Sequence, residues 1–292
     1  MTAWIEVIVA PSDQDQDMDE LGRLIAQELS FAVAGVLIRE QEHEVAFWVE
    51  EGSEAQAVAA TRRFLSHLSC EAQVSTRQAP PEKEWREAYK RYFKVARLTR
   101  QVVVVPSWET YEPVVDDCVL YLDPGQAFGT GSHATTTLVL TELQYLADAE
   151  HRITNILDAG TGSGILTIAA AKLFPGCINY AFDNDPLAVA ATLENCANNS
   201  VVATVTCRNE PDPGVSGFNL IVANIQRHVL IDFADSLSMC AAENAVLILS
   251  GLLSHQLDEV SSRYTANAWV ERARKLAHDD SEWGVLVLGR ET

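Results

Sequence analysis

In the stretch ILDAGTGSGIL, Asp158, Gly160, Gly162 and Gly164 follow one apolar run and open another. Glycine at every second position lets the chain turn tightly and brings backbone N–H groups close to a ligand where a helix begins. The next apolar run, NYAFDND, ends in Asp183 with Asn184 beside it, 23 residues after Gly160. A carboxylate so placed suits the paired hydroxyls of a ribose. Two cofactor classes share this geometry, nicotinamide dinucleotides and S-adenosylmethionine. The dinucleotide pattern asks for a further glycine at position 165, where this chain has Ile165, and no arginine lies nearby to clamp a pyrophosphate. The spacing favours S-adenosylmethionine, with no metal.

A second set of polar residues stands where an amine could be held. LIVANI ends in Asn224, whose side chain and neighbouring carbonyl can accept N–H bonds from an amine. Nitrogen attacks a methyl group in line only through a free lone pair, so acceptors must hold its N–H bonds while that pair faces the sulfonium. Upstream, LDPGQAFGTGSHATT packs Phe128, Gly129, Thr130, Gly131, His133, Thr135 and Thr136 into a polar segment without strand alternation. His133 could accept a proton or could fix the loop against the cofactor. Both readings stay open.

These residues need a scaffold that brings them to one edge. From Gln101 onward, apolar runs alternate with helix-length segments. Strands are expected at QVVVVPSW, CVLYLD, NILDAG, INYAFDN, LIVANI and AVLILSG, and two more within AWVERARKLAHDDSEWGVLVLGR. Helices are expected at ATTTLVLTELQYLA, ILTIAAAKLF, PLAVAATLENCANN, HVLIDFADSLSMCA and LSHQLDEVSSRY. This predicts a doubly wound parallel sheet with an antiparallel edge, over residues 101–292. Residues 1–79 read β-α-β-β-α-β, a ferredoxin-like unit without catalytic groups, suited to recognition. Between them, residues 80–100 carry an aromatic stripe (Trp85, Tyr89, Tyr92, Phe93) and seven basic against three acidic side chains over 82–100, read as a linker helix and hinge.

Composition narrows the class. The 292 residues are 48% apolar, enough for a sizeable core, and carry 21 basic against 41 acidic groups, a formal charge of −20. Such a surface repels nucleic acid phosphate and favours basic partners. No apolar run reaches the length of a spanning helix and the N-terminus has no cleavable leader, so a cytoplasmic protein is expected, off the membrane and monomeric. The six cysteines form no metal-binding spacing and read as buried free thiols.

LDPGQAFGTGSHATT, LDAGTGSGILTIAAAKL, AFDNDPLAVAATLENCANN, NLIVANI and LILSGLL, in this order, resemble the PrmA family, bacterial methyltransferases of ribosomal protein L11. EWREAYKRYFK and VVVVPSW resemble the family's linker and first catalytic-domain strand. The resemblance implies a seven-stranded S-adenosylmethionine-dependent methyltransferase domain behind the ferredoxin-like unit, with methyl transfer to lysine side chains and the N-terminal amine of L11. It puts cofactor contacts at Thr136, Gly160, Asp183 and Asn224, with Phe128, Gly129, Gly131 and His133 closing over the methionine end. Ser132 and Ala134 stand where the family usually has Thr and Pro, and Arg227 and His228 follow the acceptor where small or apolar residues are usual. Rival readings are a same-fold methyltransferase of another protein lysine or a small-molecule amine, an NAD-dependent oxidoreductase, and a non-catalytic binding module.

Overall fold

The computed structural model describes residues 4–13, 16–18, 21–22, 25, 36–39, 42–68, 70–78, 94–122, 134–277 and 282–290. The chain divides into two compact units, Met1–Tyr92 and Phe93–Thr292.

In the first unit, strands β1 (Trp4–Pro11), β2 (Val36–Arg39), β3 (Glu44–Glu50) and β4 (Ala72–Gln78) form one antiparallel sheet in the order β2-β3-β1-β4. Helix α1 (Glu54–His67) enters between β3 and β4. Of the first expected helix, Met18, Leu21, Gly22 and Ile25 are described, and all four have helical backbone. Alternation along β1 sends Val7 and Val9 to one face, where they pack with Leu21, Ile25, Phe47, Leu65 and Val74. Glu6 points to the other face, is fully buried, and accepts from both Arg39 and Arg77. Removing the carboxylate would leave two guanidinium groups without their shared partner. Glu6→Ala is expected to lower stability by about 3 kcal/mol, the lower end for breaking a buried pair, because the Arg77 side chain is 56% exposed. A reduced urea midpoint checks this.

The second unit opens with a small sheet: β5 (Ala96–Arg97) runs antiparallel to β6 (Val102–Val105), which runs parallel to β7 (Cys118–Tyr121). Residues 94–100, read in the sequence as linker, are therefore tied into this unit. Arg97 pairs with Asp117 at 2.8 Å, Arg100 pairs with Asp148 at 2.7 Å, and Thr99 donates to Gln144 at 2.6 Å. The remainder of the linker, 80–93, with the aromatic stripe at Trp85, Tyr89, Tyr92 and Phe93, lies outside the described residues.

The main sheet has seven strands in the order β10-β9-β8-β11-β12-β14-β13. They are β8 (Asn155–Ala159), β9 (Ile178–Asp183), β10 (Ala203–Cys207), β11 (Phe218–Asn224), β12 (Ala241–Leu253), β13 (Trp269–Leu276) and β14 (Trp283–Arg290). Five are parallel; β14 reverses against β12, and β13 pairs antiparallel with β14. Helices α2 (Ala134–Asp148), α3 (Ile165–Leu173), α4 (Pro186–Asn198), α5 (Arg227–Cys240) and α6 (Leu257–Thr265) connect them. Neighbouring residues on the central strands face opposite layers. Ile156, Leu220, Val222 and Ile248 pack with Leu140, Leu143, Ile165 and Ile168, whereas Leu157, Ile221, Ala223 and Leu247 pack with Leu230, Leu237, Val260 and Tyr264. Burial on both faces explains the continuous apolar runs.

Strand order reverses between β8 and β11, so the carboxyl ends of these strands border the crevice in which such sheets bind ligands. The expected fold class is the one observed, but the strands expected at QVVVVPSW and CVLYLD pair with each other in the small sheet and not in the main one. Strand β10 escapes the sequence reading because it is short, threonine-rich and at the sheet edge. The cysteines are free but not uniformly buried: Cys196 and Cys240 are, Cys70, Cys118 and Cys177 are half-buried, and Cys207 is exposed, because β10 presents it at the open end of an edge strand.

Candidate active site

Strand β8 runs into the glycine turn and straight on into α3. Gly160, Gly162 and Gly164 all have positive φ, at 74°, 57° and 81°. Gly160 N and Thr161 N donate to Phe182 O at 2.9 and 3.1 Å, which fastens the turn to β9. Gly162 N donates to Asp183 Oδ2 at 2.9 Å, and Asp185 N donates to Asp183 Oδ1 at 3.0 Å. Each carboxylate oxygen thus spends one acceptor site on backbone and keeps others for a ligand. Asn184, next in the chain, is exposed.

Asp158 lies beneath the turn, completely buried. Its Oδ2 accepts from Thr161 Oγ1 at 2.8 Å, Thr167 Oγ1 at 2.7 Å and Thr167 N at 3.1 Å, while Oδ1 has no partner among the described residues. The side chain therefore holds the turn from below. Burial pushes its carboxyl up to about 6, against the opposing pull of the Thr167 and Thr161 hydrogen bonds. Because the folded-state value lies above that of the unfolded chain, the stabilisation is complete below pH about 4 and lost as pH rises through about 6, roughly 3 kcal/mol in all. Asp158→Asn should remove this dependence, so the stability gap between variant and parent should change across that window in chemical denaturation.

At two of its three glycines the turn leaves no room for a side chain. A Cβ on Gly160 would collide with Ile225 Cγ2, and one on Gly164 would stand 2.9 Å from Thr192 Cγ2. Gly160→Ala would add left-handed strain of about 1–2 kcal/mol to an overpacking cost of about 1–3 kcal/mol. A thermal melt should show the loss.

Asn224 ends β11 level with Ser250 of β12, one residue beyond the pairing of Ala223 with Ala159. Its Nδ2 donates to Thr136 Oγ1 at 3.4 Å, a long bond that turns Oδ1 into the acceptor at the strand end. Thr135 and Thr136 are buried in the first turn of α2, and Ser250 Oγ lies 3.0 Å from Gly284 O and 3.4 Å from Thr135 O. Glycine turn, Asp183 and Asn224 thus share one end of the sheet. Arg227 Nη1 donates to both carboxylate oxygens of Glu259 at 2.7 Å, and His228 is exposed. Phe128, Gly129, Thr130, Gly131 and His133 lie outside the described residues.

One group of supporting residues is absent from the sequence reading. Thr192, Asn195 and Asn199 line one buried face of α4 and its cap. Thr192 Oγ1 donates to Gly162 O at 3.0 Å, and Asn195 Nδ2 donates to Ser163 O at 2.8 Å. Asn199 accepts from Tyr121 N at 2.8 Å and donates to Tyr121 O at 2.7 Å, completing the end of β7 as a neighbouring strand would. A partial signal was available: Thr192, Asn195 and Asn199 stand at steps of three and four and so share one face of the helix.

Comparison with known proteins agrees with this geometry. The family model described as ribosomal protein L11 methyltransferase (PrmA) matches residues 15–291. The ribosomal protein L11 methyltransferase of Heliobacterium modesticaldum is 39% identical over 212 residues, covering 72% of this chain and 65% of the relative. That of Geobacter metallireducens is 35% identical over 251 residues, covering 83% of this chain and 80% of the relative. The crystal structure of a ribosomal protein L11 methylase from Lactobacillus delbrueckii subsp. bulgaricus superposes with a TM-score of 0.61 at 32% identity, over 68% of this chain and 100% of that one.

Proposed function

The chain belongs to the ribosomal protein L11 methyltransferase family, and from that premise we propose that it methylates lysine side-chain and N-terminal amines of ribosomal protein L11, using S-adenosylmethionine. The observation that carries the reading is the shared sheet end, where an amide acceptor, Asn224, stands beside a glycine turn braced on Asp183.

The residues present fit this cofactor. Gly160 and Gly164 pack directly against Ile225 and Thr192, so at these two positions the turn carries no side chain and its main chain borders the crevice. Asp183 retains acceptor capacity on both oxygens, which suits the two ribose hydroxyls. Gly160, Gly162, Gly164, Thr136 and Asp183 would hold the cofactor, with Asn184 at its exposed side. When bound, S-adenosylmethionine supplies an electrophilic methyl group on a sulfonium.

The chain's own task is to present a neutral amine. A lysine of pKa near 10.4 is only about one part in a thousand neutral at pH 7.4, a deficit of about 4 kcal/mol. Proton loss to solvent before binding meets that requirement. Asn224 Oδ1 and the adjacent main-chain carbonyl then accept the remaining N–H bonds and aim the lone pair, an orientation effect. His133 belongs to the same reading as a loop residue against the cofactor or as a proton acceptor, and the pH profile of His133→Ala separates the two. The ferredoxin-like unit, with 14 acidic and 5 basic residues over 1–79, serves as the docking module for a basic protein. We take its compartment to be the cytoplasm, where ribosomal proteins are made. Incubation with labelled S-adenosylmethionine and purified L11 tests the reading: intact mass should rise in steps of about 14 Da per methyl group. Label that goes only to another protein or to a small amine would overturn the substrate assignment.

A further inference from the structure

Ile225, the residue after Asn224, is approached from two sides by backbone that has no side chain of its own. On one side is Gly160 of the cofactor turn, whose Cβ, if present, would collide with Ile225 Cγ2. On the other is Gly251, with φ +80°, within the irregularity of β12 between Leu249 and Leu252. A Cβ on Gly251 would stand 2.5 Å from Ile225 O and 3.0 Å from both Ile225 N and Ile225 C. One glycine lies in the turn after β8 and the other in β12, yet they converge on a single residue. Ile225 N belongs to the same peptide unit as the Asn224 carbonyl, so whatever fixes Ile225 fixes that carbonyl and the main chain from which the Asn224 side chain projects, while Thr136 holds the side-chain amide.

We propose that Ile225 is a positioning residue, clamped between Gly160 and Gly251, that sets the distance between the cofactor turn and the Asn224 acceptors. This rests on reading Asn224 as the residue that holds the amine. The clamp has two unlike jaws. Gly160 meets the Ile225 side chain, so the spacing there follows from the volume of that side chain. Gly251 meets the Ile225 main chain, so nothing at position 225 can relieve pressure from that side. Methyl donor and amine must approach within a near-attack distance, and a displacement of about 1 Å can cost on the order of 10²-fold in rate. A rigid spacer shared by both partners meets that tolerance.

Three single variants and one double variant of the full chain test this, each assayed for methyl transfer to L11, for cofactor affinity by calorimetry, and for folding by thermal melt. Ile225→Ala removes Cγ2 and should lower kcat by about 10- to 100-fold, with cofactor Kd and KM for L11 changed by no more than about twofold. Ile225→Val keeps Cγ2 and should recover most of the rate. Gly251→Ala should lower kcat in the same way, and adding Ile225→Ala should not restore it, because the collision is with main chain. The clamp is overturned by an Ile225→Ala enzyme with undiminished kcat, by an Ile225→Val enzyme as slow as the alanine variant, or by a rate loss matched by loss of cofactor affinity. Should Ile225→Ala fail to fold, the Ile225→Val and Gly251→Ala comparison decides alone. A parent enzyme that labels no L11 would sink the functional reading itself, whereas an active parent with indifferent variants sinks only the clamp.

Discussion

Replacing Asn224 by alanine is expected to lower kcat about 10²- to 10³-fold, the range seen when one preorganised polar group is removed from a transition state. As the methyl group moves, the attacking nitrogen becomes cationic and its N–H groups become charge-assisted donors, with hydrogen bonds roughly twice as strong as before. An acceptor at Oδ1 therefore binds the transition state better than the ground state, and such a contact appears in kcat more than in KM. Asn224→Asp keeps an acceptor and should retain more activity, although the Thr136 hydroxyl must then donate where it now accepts. Steady-state kinetics with L11 at saturating cofactor decide the matter. An alanine variant that raised only the KM for L11 would show that Asn224 docks the substrate without serving the reaction.

Asp183→Ala should weaken S-adenosylmethionine binding by about 10²-fold or more, since each hydrogen bond to a charged group contributes about 1.5–3 kcal/mol and a factor of ten corresponds to about 1.4 kcal/mol. The loss has a second component. Gly162 N and Asp185 N both donate to this carboxylate, so its removal also unpins the turn that receives the cofactor. Calorimetric titration should show the higher Kd, and saturating cofactor should bring kcat back toward the parent value. That recovery separates Asp183 from Asn224, whose defect no concentration of cofactor repairs. If Asp183→Ala bound the cofactor as tightly as the parent, the ribose assignment would fall.

The main sheet was legible because its information is local. Ile156, Leu157, Leu220, Ile221, Val222 and Ala223 form unbroken apolar runs, as strands buried on both faces must, and the glycines at 160, 162 and 164 announce the turn that follows. Strand β10 was not legible, because Ala203–Cys207 owes its strand conformation to pairing with β9, a neighbour that three half-buried and two exposed residues do not advertise. The same distinction divides the site. Asp183 and Asn224 could be found from their places at strand ends. That Asp158 is sealed beneath the turn and bonded to Thr161 and Thr167 could not, because the spacing of that motif is the same whether the carboxylate faces a ligand or the protein interior. The approach of Gly251 to Ile225 spans strands 26 positions apart, and nothing in either segment alone reveals it. Contacts of that kind depend on register, which the apolar pattern specifies only to the nearest face.

The amide of Asn199 carries one more consequence, for how the molecule ages. Ser200 follows it, and an asparagine before a small residue is open to deamidation, part of what makes this side chain thermolabile. Here Oδ1 is held by the Tyr121 amide while Nδ2 is shared between the carbonyls of Tyr121 and Asn195. The reaction needs that carbonyl carbon to swing onto the backbone nitrogen of Ser200, which the hydrogen bonds oppose. Were it to proceed, a donor would become a negative oxygen facing two carbonyls, and β7 would lose its tie to the helix that also braces Gly162 and Ser163. The durability of the catalytic unit is thus tied to whether one buried amide stays bonded.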